Sequence, residues 1–156
     1  MTKFRTTTIL LIAFAFAAAG ASDAQPIASP AVAPSAAPSD LTIAFTGITS
    51  PVGMIMISVF DSQAGYDAGK PVRVAAAPVK GTDTATLFHG LPAGRYAVKA
   101  FHDIDGDGQM AVNPFGMPSE PFAFSNDAVG SMGPASWDQA AFDVAPGAVR
   151  HVITIR

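Results

Sequence analysis

From Leu41 onward the chain alternates between apolar and polar positions in short runs. LTIAFTGI (41–48) sets Leu41, Ile43 and Phe45 on one side and Thr42, Ala44 and Thr46 on the other. That is the period of two expected of a half-buried strand. GMIMISVF (53–60) is apolar on both sides, as in a central strand covered on each face. PVRVAAAPV (71–79) alternates through Val72 and Val74, and Pro78 marks an edge or a strand end. TATLFHG (84–90) follows. After the turn LPAG (91–94) comes RYAVKAFHD (95–103), with Tyr96, Val98 and Ala100 against Arg95, Lys99 and Phe101. AAFDV (140–144) and AVRHVITIR (148–156) close the series, joined through Pro146-Gly147.

About seven short strands with turn signals between them, and no long helical period, predict an all-β fold. The expected architecture is a single antiparallel β-sandwich over residues 40–156, immunoglobulin-like or transthyretin-like, with one long loop. Ser136 followed by Gln139 fits a capping box, which predicts one short helical turn there. No segment recurs with a period of 20–50 residues, so a solenoid is not expected.

The 49% apolar content overstates the core, because residues 1–24 read as a secretory signal. Lys3 and Arg5 precede an apolar run from Ile9 to Ala19, and small residues place cleavage between Ala21 and Ala24. Residues 25–39 carry Pro26, Pro30, Pro34 and Pro38, the composition of a disordered linker. A periplasmic or secreted location is therefore expected, with no membrane insertion after cleavage. The chain has no cysteine, which excludes disulfides, thiolate metal sites and lipoprotein anchoring. Removing the leader leaves seven basic and eleven acidic side chains without a basic cluster, so nucleic acid is not an expected partner.

FHDIDGDGQMAVNPFG (101–116) concentrates charge in a chain that is only 13% charged. Asp103, Asp105 and Asp107 alternate and Gly108 follows, the order in which a calcium loop directs oxygen ligands inward and then turns sharply. Oxygen ligands favour Ca²⁺ over zinc. Position 12 of such a loop is Pro114 where a bidentate glutamate is needed, so the segment is not an EF-hand. The expected metal ligands are Asp103, Asp105, Asp107, Gln109 and Asn113, with water or Glu120 completing the set. The competing reading is an Asp-Gly hairpin turn without metal, since Asp-Gly occurs at 105–106 and 107–108.

LPAGRYAVKAFHD, then DGDGQ, NPFGMPSEPFAFSND and GPASWDQAAFDV together resemble domain of unknown function 2141, a family of exported bacterial proteins. The resemblance runs from about Asp40 to Arg156 and is densest over 91–144. It implies a sandwich similar to transthyretin-like and carboxypeptidase-regulatory domains, and it implies no activity. The chain departs from the family at Ala111, where many relatives are acidic. It departs again at Pro121-Phe122-Ala123-Phe124, where relatives have Gly-Tyr-Gly-Phe.

His102, Phe115, Glu120, Phe124 and Asn126 form a candidate surface for an unknown protein, glycan or small ligand. Phe115, Phe122 and Phe124, with Trp137 nearby, either line that surface or cover one end of the sandwich. Three roles follow. The first is an exported, non-enzymatic module whose Ca²⁺ loop orders a binding segment. The second is a small hydrolase using His102 with Asp103 or Glu120. The third is a structural envelope protein with no ligand.

Overall fold

The computed structural model describes residues 38–156, so the expected leader and all but the end of the linker lie outside the described residues. The strands are β1 (Ser39–Thr46), β2 (Met54–Phe60), β3 (Arg73–Pro78), β4 (Thr84–Leu91), β5 (Gly94–Asp103), β6 (Phe122–Phe124), β7 (Phe142–Val144) and β8 (Gly147–Thr154). All seven expected strands form, and β6 is added to them. Two helices interrupt the series, α1 (Gln63–Asp67) and α2 (Trp137–Ala140). The expected capping box is present at α2, where the Ser136 side chain and the Gln139 side chain cap each other's backbone. Because Ala140 closes that helix, the strand expected from 140 begins only at Phe142.

Two sheets build the fold. The smaller has the order β4-β1-β8; the larger has the order β3-β2-β5, with β6 and β7 pairing with successive parts of β5. Pro78 ends the edge strand β3, where a missing donor leaves no ladder bond unmade. The antiparallel expectation is corrected at one pair. β1 and β8 run parallel, in register from Ser39 and Gly147 to Thr46 and Thr154. Parallel neighbours need a long connection, and here everything between β1 and β8 supplies it.

Alternation decides which face is buried. Leu41, Ile43 and Phe45 of β1 meet Ile55, Ile57 and Val59 of β2, Tyr96 and Val98 of β5 and Ile153 of β8 in one core between the sheets. Each such side chain contributes about 1.5–3 kcal/mol by leaving water. Ser39, at the expected end of the linker, is fully buried in β1 and donates its hydroxyl to the Ala145 carbonyl at 2.8 Å.

A second apolar cluster lies outside this core. Phe60, Tyr66, Ala97, Phe124, Trp137 and Ala140 pack together where α1 and α2 meet the strands. The Tyr66 ring makes edge contacts with Phe60 and Trp137 at 5.2 and 5.9 Å. Its hydroxyl donates to the Ala135 carbonyl at 2.9 Å. Burial, helped by Asp67, pushes the Tyr66 hydroxyl up to about 12, so it remains a donor at neutral pH. Phe124 and Trp137 are thus core, while Phe115 and Phe122 are exposed.

Candidate functional site

β5 presents two different faces. Tyr96, Val98, Ala100 and His102 are buried, the first three within the inter-sheet core, whereas Lys99 and Phe101 on alternate positions are half-buried. The strand ends at Asp103, which is itself fully buried. Its carboxylate accepts the backbone N–H of Gly106 at 2.7 Å and of Gly108 at 2.9 Å. Both glycines have φ near +78°, at 79° and 77°, the left-handed conformation that turns the chain back around that carboxylate.

The rest of the acidic loop repeats this device on a smaller scale. Asp105 accepts the Asp107 amide at 3.2 Å, and Asp107 accepts the Gln109 amide at 2.7 Å. Glu120 closes the loop from its far end. One of its oxygens takes the Ile104 N–H at 2.9 Å and the other takes the Ala111 N–H at 3.0 Å. Between Ala111 and Ser119 the chain forms a small hairpin. Its tip is held by Asn113 Oδ1, which accepts from Phe115 and Met117 at 2.9 and 3.1 Å.

Of the expected ligands, Asp103 and Asp105 come together, joined by Glu120. One oxygen from each of the three lies within 4.8 Å of the other two. Asp107 stands outside this group, and the oxygens of Asp107 and Asn113 serve local turns. Gln109 is exposed and contributes its backbone amide to Asp107. No lysine or arginine forms an ion pair with any of these carboxylates among the described residues. A hard cation with oxygen ligands fits such a donor set, because every carboxylate oxygen that accepts one N–H keeps a second lone pair.

His102 is corrected as a surface residue. It is fully buried, and its Nε2 donates to the Val52 carbonyl at 2.7 Å. Nδ1 has no hydrogen-bond partner. The ring therefore ties the turn before β2 to the end of β5. Asn126 is also structural. It holds φ at 59°, and its side-chain amide donates to the Gln139 and Ala141 carbonyls at 3.1 and 2.9 Å. Next to it, Ser125 Oγ accepts the Val98 N–H at 2.8 Å and donates to the Ala140 carbonyl at 2.6 Å, locking the end of β6 to β5 and α2.

Of the remaining candidates, Phe115 and Phe124 line one concavity of about 780 Å³, whereas Glu120 is buried at the base of the loop and does not reach it. Its floor is the outer face of the larger sheet, with Ser58, Lys99 and Phe101 beside Phe122 and Phe124 of β6. One wall is the acidic loop's hairpin, through Met110, Phe115, Met117 and Pro118; another is the stretch Met132–Pro134. Four of the fold's exposed large apolar side chains, Phe115, Met117, Phe122 and Met132, belong to this groove. They gather exposed apolar area in one place, where single exposed residues would leave it scattered. The sequence points to Phe115 and Phe124; it gives no signal for Lys99 or Met132, which reach the groove only through strand pairing and the return of a distant loop.

Residues 43–151 match the family model described as an uncharacterized protein conserved in bacteria, DUF2141. No curated protein and no solved structure matches.

Proposed function

The chain belongs to DUF2141, a family of uncharacterized bacterial proteins, and from that premise we propose that it is an exported binding module and not an enzyme. Its groove takes an apolar ligand, and Ca²⁺ at Asp103, Asp105 and Glu120 fixes the hairpin that forms one wall. The leader-like residues 1–24 support export. One observation carries the binding role: the acidic loop and the groove are a single structure. The segment whose base is gathered by Asp103 and Glu120 is the segment that brings Phe115 and Met117 over the sheet.

Binding is favoured over catalysis by what the groove offers. Its lining is mostly Met, Phe, Pro and Gly, with Ser58 and Lys99 as the polar side chains. Methionine and phenylalanine adapt to an apolar guest and supply no general base. The histidine adjoining the acidic loop faces a backbone carbonyl instead.

Two readouts on the purified protein test this. Nile red, a neutral apolar dye, is expected to bind the native protein and to lose its bound fluorescence in Phe115→Ser. Metal-stripped protein is expected to melt higher in millimolar Ca²⁺ than in Mg²⁺. An ion binding only the folded state adds about 2.7 kcal/mol at a hundredfold excess over its Kd. Dye binding that Phe115→Ser leaves intact would remove the groove from this role, and equal melting with and without Ca²⁺ would remove the ion.

A further inference from the structure

Lys99 is the single charged side chain lining the groove. It stands on β5 opposite Ser58 of β2 and Phe124 of β6, in the floor of an otherwise apolar concavity. Its ammonium donates one hydrogen bond, to the Tyr66 carbonyl at 2.8 Å, and lies 3.9 Å over the Tyr66 ring. An ammonium has three donors. Among the described residues no carboxylate reaches it at ion-pair distance. Burial lowers its pKa below the ordinary 10.5, and Asp67 partly offsets this from farther away. The ammonium, held over the Tyr66 and Phe60 rings, belongs to a half-buried residue that lines an otherwise apolar groove, and it keeps donors that an anion can accept.

We infer that the groove binds a single-chain amphiphile with one anionic headgroup, its tail against Phe115, Met117 and Met132 and its headgroup on Lys99. The inference rests on the groove being a binding site, as proposed above, and adds the class of ligand. Size and charge both support it. About 780 Å³ falls within the range of roughly 300–1,000 Å³ usual for small-molecule sites. A protein partner would need well over 1,000 Å² of matched surface, for which two loop walls around a slot are poorly shaped. An anionic bilayer is disfavoured by the chain's net charge of −3 and by Asp105 and Asp107, both exposed in the same loop. A soluble monomeric amphiphile brings one negative charge where a bilayer surface presents many, so this repulsion is smaller for it, and it needs no wide matched surface. The methionines suit a flexible chain without fixing its length.

The test compares dodecanoate, dodecanol and dodecyltrimethylammonium by calorimetry on the purified protein, each below its micelle concentration. Dodecanoate is expected to bind about tenfold or more tighter than dodecanol, the step a charge-assisted hydrogen bond supplies, and the cation not at all. Lys99→Met is expected to erase the preference for dodecanoate while keeping dodecanol. Should that variant fail to fold, the comparison of the three probes on the parent protein still decides. Phe115→Ser and Met132→Ser alter highly exposed positions and are expected to weaken dodecanoate and dodecanol together. Equal affinity for dodecanoate and dodecanol would overturn the headgroup assignment and leave the groove standing. No binding of either would overturn both. Binding seen only with anionic vesicles, or only as dimerisation on dilution series, would replace the amphiphile with a membrane or a second copy.

Discussion

Glu120 accepts the backbone N–H of Ile104 at 2.9 Å, across the base of a loop that separates them by sixteen residues. Its second oxygen takes Ala111 at 3.0 Å, so one side chain, itself 9% exposed, fixes three points of the segment. Glu120→Ala should therefore destabilise the protein by about 2–4 kcal/mol, since each stranded amide costs roughly 1–3 kcal/mol and water can reach part of this site. Glu120→Gln keeps one acceptor oxygen and should cost about half as much. Urea denaturation measures both; a variant midpoint equal to the parent's would mean that the loop does not depend on this clamp.

Gly53 is the backbone counterpart of that clamp. Its φ is +75°, and a Cβ there would strike the carbonyl oxygen of Asp103. The residue before it, Val52, accepts the His102 ring, and Gly53 itself accepts the Val79 N–H at 3.1 Å. The turn is thus pressed against the end of β5 from several sides. Gly53→Ala should cost roughly 2–4 kcal/mol, combining left-handed strain with overpacking. Gly69, also at positive φ but with open space around it, is the control, and Gly69→Ala should cost only the strain, about 1 kcal/mol. Equal losses at the two positions would refute close approach as the cause.

The contrast between these residues explains what the sequence could disclose. Alternation identifies the strands because a half-buried strand repeats every two residues and each residue reports its own face. Carried one step beyond Ala100, the same alternation puts His102 on the buried face, which its position beside Asp103 obscures. Pairing partners are another matter. The parallel β1–β8 contact joins residues more than a hundred positions apart, and no local pattern records it. β6 has three residues and α1 has five, too few for either period to register. Glu120 completes the carboxylate group because a hairpin folds it back, whereas Asp107, nearer in sequence, is turned aside by its own bond to Gln109. The groove depends on loops meeting a sheet face, so Lys99 has no signature of its own.

Asp103 and Asp105 should respond differently to the same substitution. Asp103 is buried and holds two amides; Asp105 is exposed and holds one. Asp103→Asn leaves one good acceptor for two donors and should lose about 1–3 kcal/mol in chelator as well as in Ca²⁺. Asp105→Asn should stay within about 0.5 kcal/mol of the parent in chelator, as surface changes usually do, and lose only the increment that Ca²⁺ supplies. Paired melts in chelator and in Ca²⁺ separate the two. If Asp105→Asn retains the full Ca²⁺ increment, the ion does not use that carboxylate.

His151 gives the fold a dependence on pH. Its ring stacks on Phe142, with centroids 3.8 Å apart and planes 9° from parallel. Its Nε2 accepts the Asn126 N–H at 3.2 Å, which requires that nitrogen to be unprotonated. Burial lowers the His151 pKa below the ordinary 6.5, and Asp127 opposes the shift without reversing it. The unfolded chain therefore takes up the proton more readily than the folded one. Stability from this site is fully present above about pH 6.5, declines as pH falls through the lower folded pKa, and is level below it. His151→Gln can keep an acceptor towards Asn126 but cannot titrate. The parent's urea midpoint should fall more than the variant's between about pH 7 and about pH 5, and the difference between the two curves isolates this ring from His89 and His102. Parallel curves for parent and variant would mean that the fold's dependence on pH does not come from His151.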